Sequence, residues 1–162
     1  MRTPIALILA LSATLTACGG ADPKAAAYEA FQSGDYAAAV TSFNEAMTGV
    51  DTTSPEYLGL AVARCEALAH TNANDAKDSM IALADAQGGK VTAKDYNLVA
   101  QAMVGAREFA PAILLLDDGI QKRFKDDPKL LALVDKINTE AEKSGDEDTI
   151  DALKGLGYVG GD

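Results

Sequence analysis

The sequence predicts an all-α protein made of three helical hairpins followed by a C-terminal capping helix. Three segments each place alanine, then a large apolar residue four positions later, and a further small or apolar residue at the seventh position. That spacing is one stripe of an amphipathic helix. The stripes begin at Ala39, Ala76 and Ala112, which are 37 and 36 residues apart. Alanine is abundant and tryptophan is absent, a composition that suits closely packed helices.

Start and stop signals divide residues 22–143 into these hairpins. The predicted helices lie at 24–33 and 35–47, at 55–70 and 75–87, on either side of a turn at 105–107, and at 128–143. Gly34 ends the first helix, and Asp35 can cap the second by accepting hydrogen bonds from its free N–H groups. Thr92 and Asp95 have the form of a capping box.

The first stripe also resembles a known family. Gly34 to Ala46 follows G-D-Y-x-x-A-x-x-x-F-x-x-A, which resembles the turn and second helix of a tetratricopeptide repeat (TPR). The repeat spacing is close to the roughly 34 residues of that class. The resemblance implies a right-handed superhelix of three TPR-like helical hairpins plus the C-terminal capping helix. The family's first-helix pattern is degraded in all three hairpins, so an ordinary antiparallel bundle is the alternative.

The resemblance also implies a concave surface lined by the first helix of each hairpin. The candidate partner-binding residues on this surface are Lys24, Tyr28, Gln32, Lys94, Asn97 and Gln101. Some members of the family clamp a partner's C-terminal carboxylate with a Lys/Asn/Asn/Lys/Arg set. Here only two positions match, because Tyr28, Val62 and Leu98 occupy the others. We therefore do not expect that clamp, and a solvated surface without a ligand is the alternative for each residue.

The N-terminus has the pattern of a bacterial lipoprotein signal peptide over residues 1–17. A positive start precedes an apolar core at 5–15, which is too short to span a bilayer. Leu15-Thr16-Ala17-Cys18 resembles a lipobox, which implies a lipidated N-terminus at 18–21 carrying acyl chains such as palmitate on Cys18. Such chains would anchor the protein without a spanning helix. The Gly19 that follows favours the outer membrane, and an ordinary secretory signal with a chance cysteine is the alternative.

Charge and residue types argue against several classes of function. The chain has 14 basic and 24 acidic side chains and a net charge of −10, which disfavours nucleic acid as a partner. The single histidine, His70, falls at a predicted helix C-terminus, where it can cap carbonyl groups. Cys65 falls among apolar residues and is expected to be a buried apolar side chain. We therefore expect no enzyme, no cofactor and no metal site.

Residues 144–162 are predicted to be an acidic linker and a C-terminal tail. The tail's L-K-G-L-G-Y-V-G-G resembles the ending of some secreted bacterial sulfatases and repeat proteins, but it offers no nucleophile or base. Ile150, Leu153 and Leu156 can share one helix face. We expect the tail to dock on the helical domain, and the alternative is that it offers Tyr158 to a partner.

Together these features predict a lipid-anchored, periplasm-facing adaptor of the bacterial cell envelope. It would bind an unidentified protein or peptide in a concave helical groove, and its contact with the membrane would be through its lipid anchor. The alternative is a ligand-binding lipoprotein component of a transport system, and a purely structural envelope protein is a third. A closed apolar cavity would favour a ligand, whereas an open, hydrated groove would favour a peptide.

Overall fold

The computed structural model describes residues 22–159, which form eight α-helices and no strand. The helices are α1 (Pro23–Ser33), α2 (Tyr36–Met47), α3 (Pro55–Ala69), α4 (Ala73–Gln87), α5 (Ala93–Gly105), α6 (Phe109–Lys122), α7 (Pro128–Ser144) and α8 (Glu147–Gly155), with a 3-10 helix at Gly88–Lys90. The predicted all-α fold class is confirmed for this part of the chain. The signal peptide (1–17), Cys18 and the rest of the lipidated N-terminus (18–21) lie outside the described residues.

The helix ends follow the caps that the sequence predicts. Gly34 has a φ of 81° at the end of α1, a left-handed conformation that glycine adopts without strain. Asp35 accepts a hydrogen bond of 3.1 Å from a backbone N–H in the first turn of α2. The capping box is present, since the Asp95 carboxylate accepts a 2.8 Å bond from the Thr92 N–H. α4 begins two residues earlier than predicted because Asn72 caps it.

The helices pack as successive pairs and then as two layers. α1 packs on α2, α3 on α4, and α5 on α6, as the three predicted hairpins require. One layer joins α3, α5 and α7, and the other joins α4, α6 and α8. α2 packs on α3, but the described helices include no comparable packing between α2 and α4. The second layer is therefore interrupted beside α4.

α3 lies between two apolar clusters. Leu60 and Ala67 on α3 pack with α1 and α2 around the fully buried Phe43. Other α3 residues join the larger cluster, which extends through α4 to α8 and contains the fully buried Met80 and Leu116. The three large residues of the predicted stripes are thus all in the core. Burial of apolar side chains of this size is the main term that holds such helices together.

The C-terminal region is a fourth helical pair, where the sequence predicted a capping helix followed by a linker and tail. Residues 147–155, expected within the 144–162 segment, form α8, which packs on α6 and α7. Thr149 lies 37 residues after Ala112 and is 1% exposed, and Leu153, four positions later, is fully buried. Thr149 occupies the position that alanine occupies in the other three stripes. Because threonine is polar, the sequence pattern does not reveal this fourth stripe. Its hydroxyl donates to Asp146 at 2.7 Å, so its polar group is satisfied.

Candidate functional site

A cleft of about 590 Å³ lies between α3 and α4. Met47, the last residue of α2, and Thr52 and Thr53 of the loop at 48–54 also line it. Its floor is apolar and includes Ala61, Cys65 and Leu83. This volume is within the range of pockets that bind ligands in proteins, about 300–1,000 Å³.

The cleft exists because α4 lacks a packing partner on this side. α4 presents the small residues Ala82 and Ala86 to the cleft, and both are exposed. The connection at 48–54 is also longer than the later ones at 88–92 and 123–127. A longer connection allows α2 to end away from α4, and small side chains leave the space between them unfilled.

Hydrogen bonds tie the closing loop to the end of α4. The Gln87 side-chain amide donates to the Thr52 carbonyl at 2.6 Å, and Lys90 Nζ donates to the Thr53 carbonyl at 2.7 Å. Both the N–H and the hydroxyl of Thr53 donate to the carboxylate of Asp51, and these bonds lower the pKa of that carboxyl. The loop is therefore held in place by polar contacts at the rim of the cleft.

The charges that line the cleft are all positive. Arg64 and Lys90 line it, and no aspartate or glutamate does. Arg64 is half-buried, and its Nε donates to the Asn44 side-chain oxygen at 2.6 Å, which fixes the guanidinium between α2 and α3. In a chain with a net charge of −10, this makes the cleft a local positive region.

Cys65 is buried, and His70 packs on an aromatic ring. Cys65 is 2% exposed, as the sequence predicted, and burial raises the pKa of its thiol to about 12. A thiol with that pKa is neutral and is a poor nucleophile at neutral pH. His70 stands at the end of α3, and its ring stacks on Tyr36 with 3.9 Å between ring centres. Burial lowers the pKa of His70, which favours the neutral ring.

The described residues include no group of three His, Cys, Asp or Glu side chains arranged to hold a metal ion. Nor does any helix between residues 22 and 159 combine the length and the apolar character needed to cross a membrane.

The three candidate residues on α1 lie away from this cleft. Lys24 pairs with Glu56 on α3 at 2.6 Å. Tyr28 is 37% exposed and packs edge-to-face on Phe43, with ring centres 5.2 Å apart. Gln32 is exposed. Tyr28 is thus partly a support for the small apolar cluster, although its ring is accessible.

Two of the three candidate residues on α5 lie beside α7. Lys94 is exposed, whereas Asn97 donates to the Lys129 carbonyl at the start of α7 at 3.3 Å. Gln101 donates to the Asn97 side-chain oxygen and lines a second pocket of about 490 Å³. Two of the three are therefore engaged at the α5–α7 contact. Ala61 and Cys65, on the first helix of the second hairpin, line the α3–α4 cleft.

Sequence reasoning missed a buried polar cluster that joins α4, α5 and α6. The Tyr96 hydroxyl donates to Asp118 at 2.8 Å, and Arg123 Nε donates to the Tyr96 oxygen at 3.0 Å. Lys122 pairs with Asp118 at 2.6 Å, and Arg123 also pairs with Asp85. The signal was present, since Asp118 directly precedes the stripe residue Gly119 and a buried carboxylate needs donors. The cluster is structural, because the buried Asp118 carboxylate is paired with Lys122 and Arg123 and accepts a hydrogen bond from Tyr96.

Comparisons of the chain with protein families, with curated proteins and with solved structures found no match. The geometry and charge of the cleft are therefore the basis for assigning a function.

Proposed function

We propose that the protein is a lipid-anchored, periplasm-facing adaptor of the bacterial cell envelope, which holds a peptide or protein segment in a groove between its helices. The α3–α4 cleft is the observation that carries this proposal. It has an apolar floor, and it opens to solvent, because Thr52, Thr53 and Lys90 at its rim are exposed. An open groove admits a segment of a longer chain, whereas small-ligand sites enclose most of their ligand.

A TPR-like, right-handed superhelix of hairpins is part of the proposal. The stripe begins at Ala39, Ala76, Ala112 and Thr149, at intervals of 37, 36 and 37 residues, and all four residues are buried. The layers α3–α5–α7 and α4–α6–α8 support this arrangement, because stacked hairpins contact their neighbours helix to helix in this way. The cleft lies where the first hairpin interrupts the second layer.

The membrane anchor would be supplied by Cys18. The lipobox-like Leu15 to Cys18 supports this part of the proposal, and Gly19 favours the outer membrane. Cys18→Ser should move the protein from the membrane fraction to the soluble fraction of a cell lysate and abolish the mass added by acyl chains. Cys65→Ala is the matched control and should leave both unchanged. The anchor would be contradicted if Cys18→Ser stayed in the membrane fraction and neither this variant nor the wild-type protein carried acyl mass.

The adaptor role is tested by affinity capture from envelope extracts with the tagged full-length chain and quantitative mass spectrometry. We expect one protein at close to equal stoichiometry. Ala86→Trp places a large side chain in the cleft and should abolish its capture. Ala37→Trp adds the same side chain at an exposed position of α2 outside the cleft and should not.

A blank capture by the wild-type chain would contradict the adaptor. If Ala86→Trp still captured the partner, the binding site would instead be the predicted surface formed by the first helices. In that case Tyr28→Ala or Gln101→Ala should weaken it.

A ligand-binding role in a transport system is the second candidate. The volume of the cleft favours it, since about 590 Å³ is enough for a small molecule. A thermal-shift screen of metabolites distinguishes the two roles. A compound that raises the Tm of the wild-type chain but not of Ala86→Trp, together with a blank capture, would establish this role in place of the adaptor.

A further inference from the structure

We infer that the α3–α4 cleft selects a peptide segment carrying a carboxylate beside an apolar side chain, with Arg64 and Lys90 holding the carboxylate above the apolar floor. This inference rests on the proposed function and specifies the chemistry of the partner. It concerns a cleft formed with α4, away from the α1 and α5 residues predicted to line the concave surface.

The first argument is the distribution of charge. Acidic side chains outnumber basic ones by 24 to 14 in the chain, yet the charged side chains lining the cleft are Arg64 and Lys90 alone. A positive site with apolar walls on an otherwise negative protein attracts an anionic group and repels a cationic one. Charge complementarity therefore selects an acidic segment from among the possible occupants.

The second argument is that these two cations have spare donors. Elsewhere in the described residues, Lys24, Lys122 and Arg123 each pair with a carboxylate. Arg64 and Lys90 form no such ion pair in the same part of the chain. They share this with exposed cations such as Lys94 and Lys129, but only Arg64 and Lys90 line the cleft. Their hydrogen bonds go to the neutral oxygens of Asn44 and Thr53, and Lys90 also acts at longer range on the Asp51 carboxylate, whose pKa it helps to lower.

A guanidinium has five N–H donors and an ammonium has three, so each group retains donors for a ligand. Arginine in particular suits a carboxylate, because its planar group can donate two parallel hydrogen bonds to the two oxygens.

The third argument is the floor. Ala61 and Leu83 present apolar surface, and Cys65 adds a neutral thiol. An isolated inorganic anion would leave this surface wet, whereas a leucine-like side chain next to the carboxylate would remove it from water. The two cations and the apolar floor together fit a peptide segment with an acidic and an apolar side chain on neighbouring residues. Such a segment can pass through an open groove.

The test measures fluorescence polarisation with the full-length chain in lipid nanodiscs and two fluorescein-labelled hexapeptide pools. One pool has glutamate fixed at the third position, flanked by leucine, isoleucine, valine or phenylalanine. The other is identical except for glutamine at that position. We expect the glutamate pool to bind at least about tenfold more tightly than the glutamine pool, a difference of about 1.4 kcal/mol. Empty nanodiscs give the background.

Variants assign the preference to the cleft. Arg64→Gln with Lys90→Gln should reduce the ratio between the pools to about one. Because Arg64 bonds Asn44, Lys90→Gln alone serves as a second variant that leaves this contact intact, and it should lower the ratio in part. Lys94→Gln is the control, since it removes an exposed lysine outside the cleft, and the ratio should be unchanged. Circular dichroism melting verifies that each variant is folded.

Three results would overturn the inference: equal binding of both pools, no binding of either pool, or a glutamate preference that survives both the double and the single variant. Displacement by octanoate at concentrations no higher than the unlabelled glutamate peptides would also overturn it, in favour of a small organic acid. If these results occur while capture of a partner remains sensitive to Ala86→Trp, the adaptor stands and only its ligand chemistry is wrong. Loss of the partner itself is a failure of the proposed function.

Discussion

The Tyr96 hydroxyl donates a 2.8 Å hydrogen bond to the buried carboxylate of Asp118, and this bond joins α5 to α6. Tyr96 is fully buried, and Asp118 is 5% exposed. Lys122 pairs with the other oxygen of the carboxylate, and Arg123 donates to the Tyr96 oxygen. A buried carboxylate is costly unless donors surround it. This cluster therefore fixes how the two helices of the third hairpin meet.

Removing the tyrosine hydroxyl should destabilise the fold. Tyr96→Phe leaves Asp118 with one donor fewer, and a hydrogen bond to a charged group contributes about 1.5–3 kcal/mol. We expect the free energy of unfolding in urea to fall by that amount. Tyr28→Phe is the control, because its ring lies at the surface with 37% exposure, and it should change stability by less than about 0.5 kcal/mol. Equal effects of the two substitutions would show that the Tyr96–Asp118 bond contributes nothing specific.

The same cluster predicts a loss of stability in acid. Burial acts to raise the pKa of Asp118, but hydrogen bonds from Lys122 and Tyr96 outweigh it and hold the pKa below its ordinary value. A carboxyl with a depressed folded-state pKa stabilises the fold above its unfolded pKa of about 4, and this contribution is lost as the pH falls through the folded value. Urea unfolding from about pH 7 downwards measures it.

Asp118→Asn should be less stable than the wild type at neutral pH, and the gap should narrow below about pH 4. If the difference in free energy of unfolding between the two proteins stayed constant down to the lowest pH, the charge of Asp118 would not contribute to stability.

Gly119 should not tolerate a methyl group. A Cβ at this position would lie 2.8 Å from Cδ1 of the Tyr96 ring, so the ring would have to move from its place beside Asp118. We expect Gly119→Ala to lower the free energy of unfolding by about 1–3 kcal/mol, despite the better helix propensity of alanine. Gly59→Ala, in α3 with nothing within 4 Å, should instead raise it by up to about 1 kcal/mol. A stabilising Gly119→Ala would disprove the close contact.

α8 should contribute to the stability of the whole helical domain. Leu153 is fully buried, so Leu153→Ala leaves a cavity and should cost about 2–5 kcal/mol. Leu114→Ala, at a position of α6 that is 43% exposed, should cost far less. Thermal unfolding followed by circular dichroism compares the two. A Leu153→Ala protein with the wild-type Tm would mean that the C-terminal tail is not part of the cooperative fold.

Local signals in the sequence predicted where most helices begin and end. They did not predict features that depend on contacts between helices distant in the sequence. Gly34, Asp35 and the Thr92–Asp95 capping box act within one turn, so they set helix ends before any packing occurs. The helix face at Ile150, Leu153 and Leu156 and the docking of the tail were predicted, and α8 packs on α6 and α7. That α8 completes a fourth hairpin was missed, because Thr149 is polar and only its burial shows that it takes the place of alanine. The acceptor of the Tyr96 hydroxyl lies 22 residues away on another helix, so no local pattern predicts it.

The candidate site was less accessible to prediction than the fold. Surface residues such as Lys94 can be placed on a helix face from their spacing, but spacing does not show that α7 covers part of that face at Asn97. The cleft arises because α2 does not pack closely on α4 and because the 48–54 connection is long. Neither feature has a periodic signature. Arg64 on α3 and Lys90 just after α4 line the same cleft only because α3 packs on α4.

Site-specific photocrosslinking in the native envelope tests most directly whether the cleft is the binding groove. A photoreactive benzoylphenylalanine is placed at Tyr57, which lines the cleft, or at Tyr28, which lies on α1. After illumination, we expect one discrete crosslinked product from position 57 and none from position 28. A product from position 28 with none from position 57, or no product from either, would contradict the assignment of the α3–α4 cleft as the partner-binding groove.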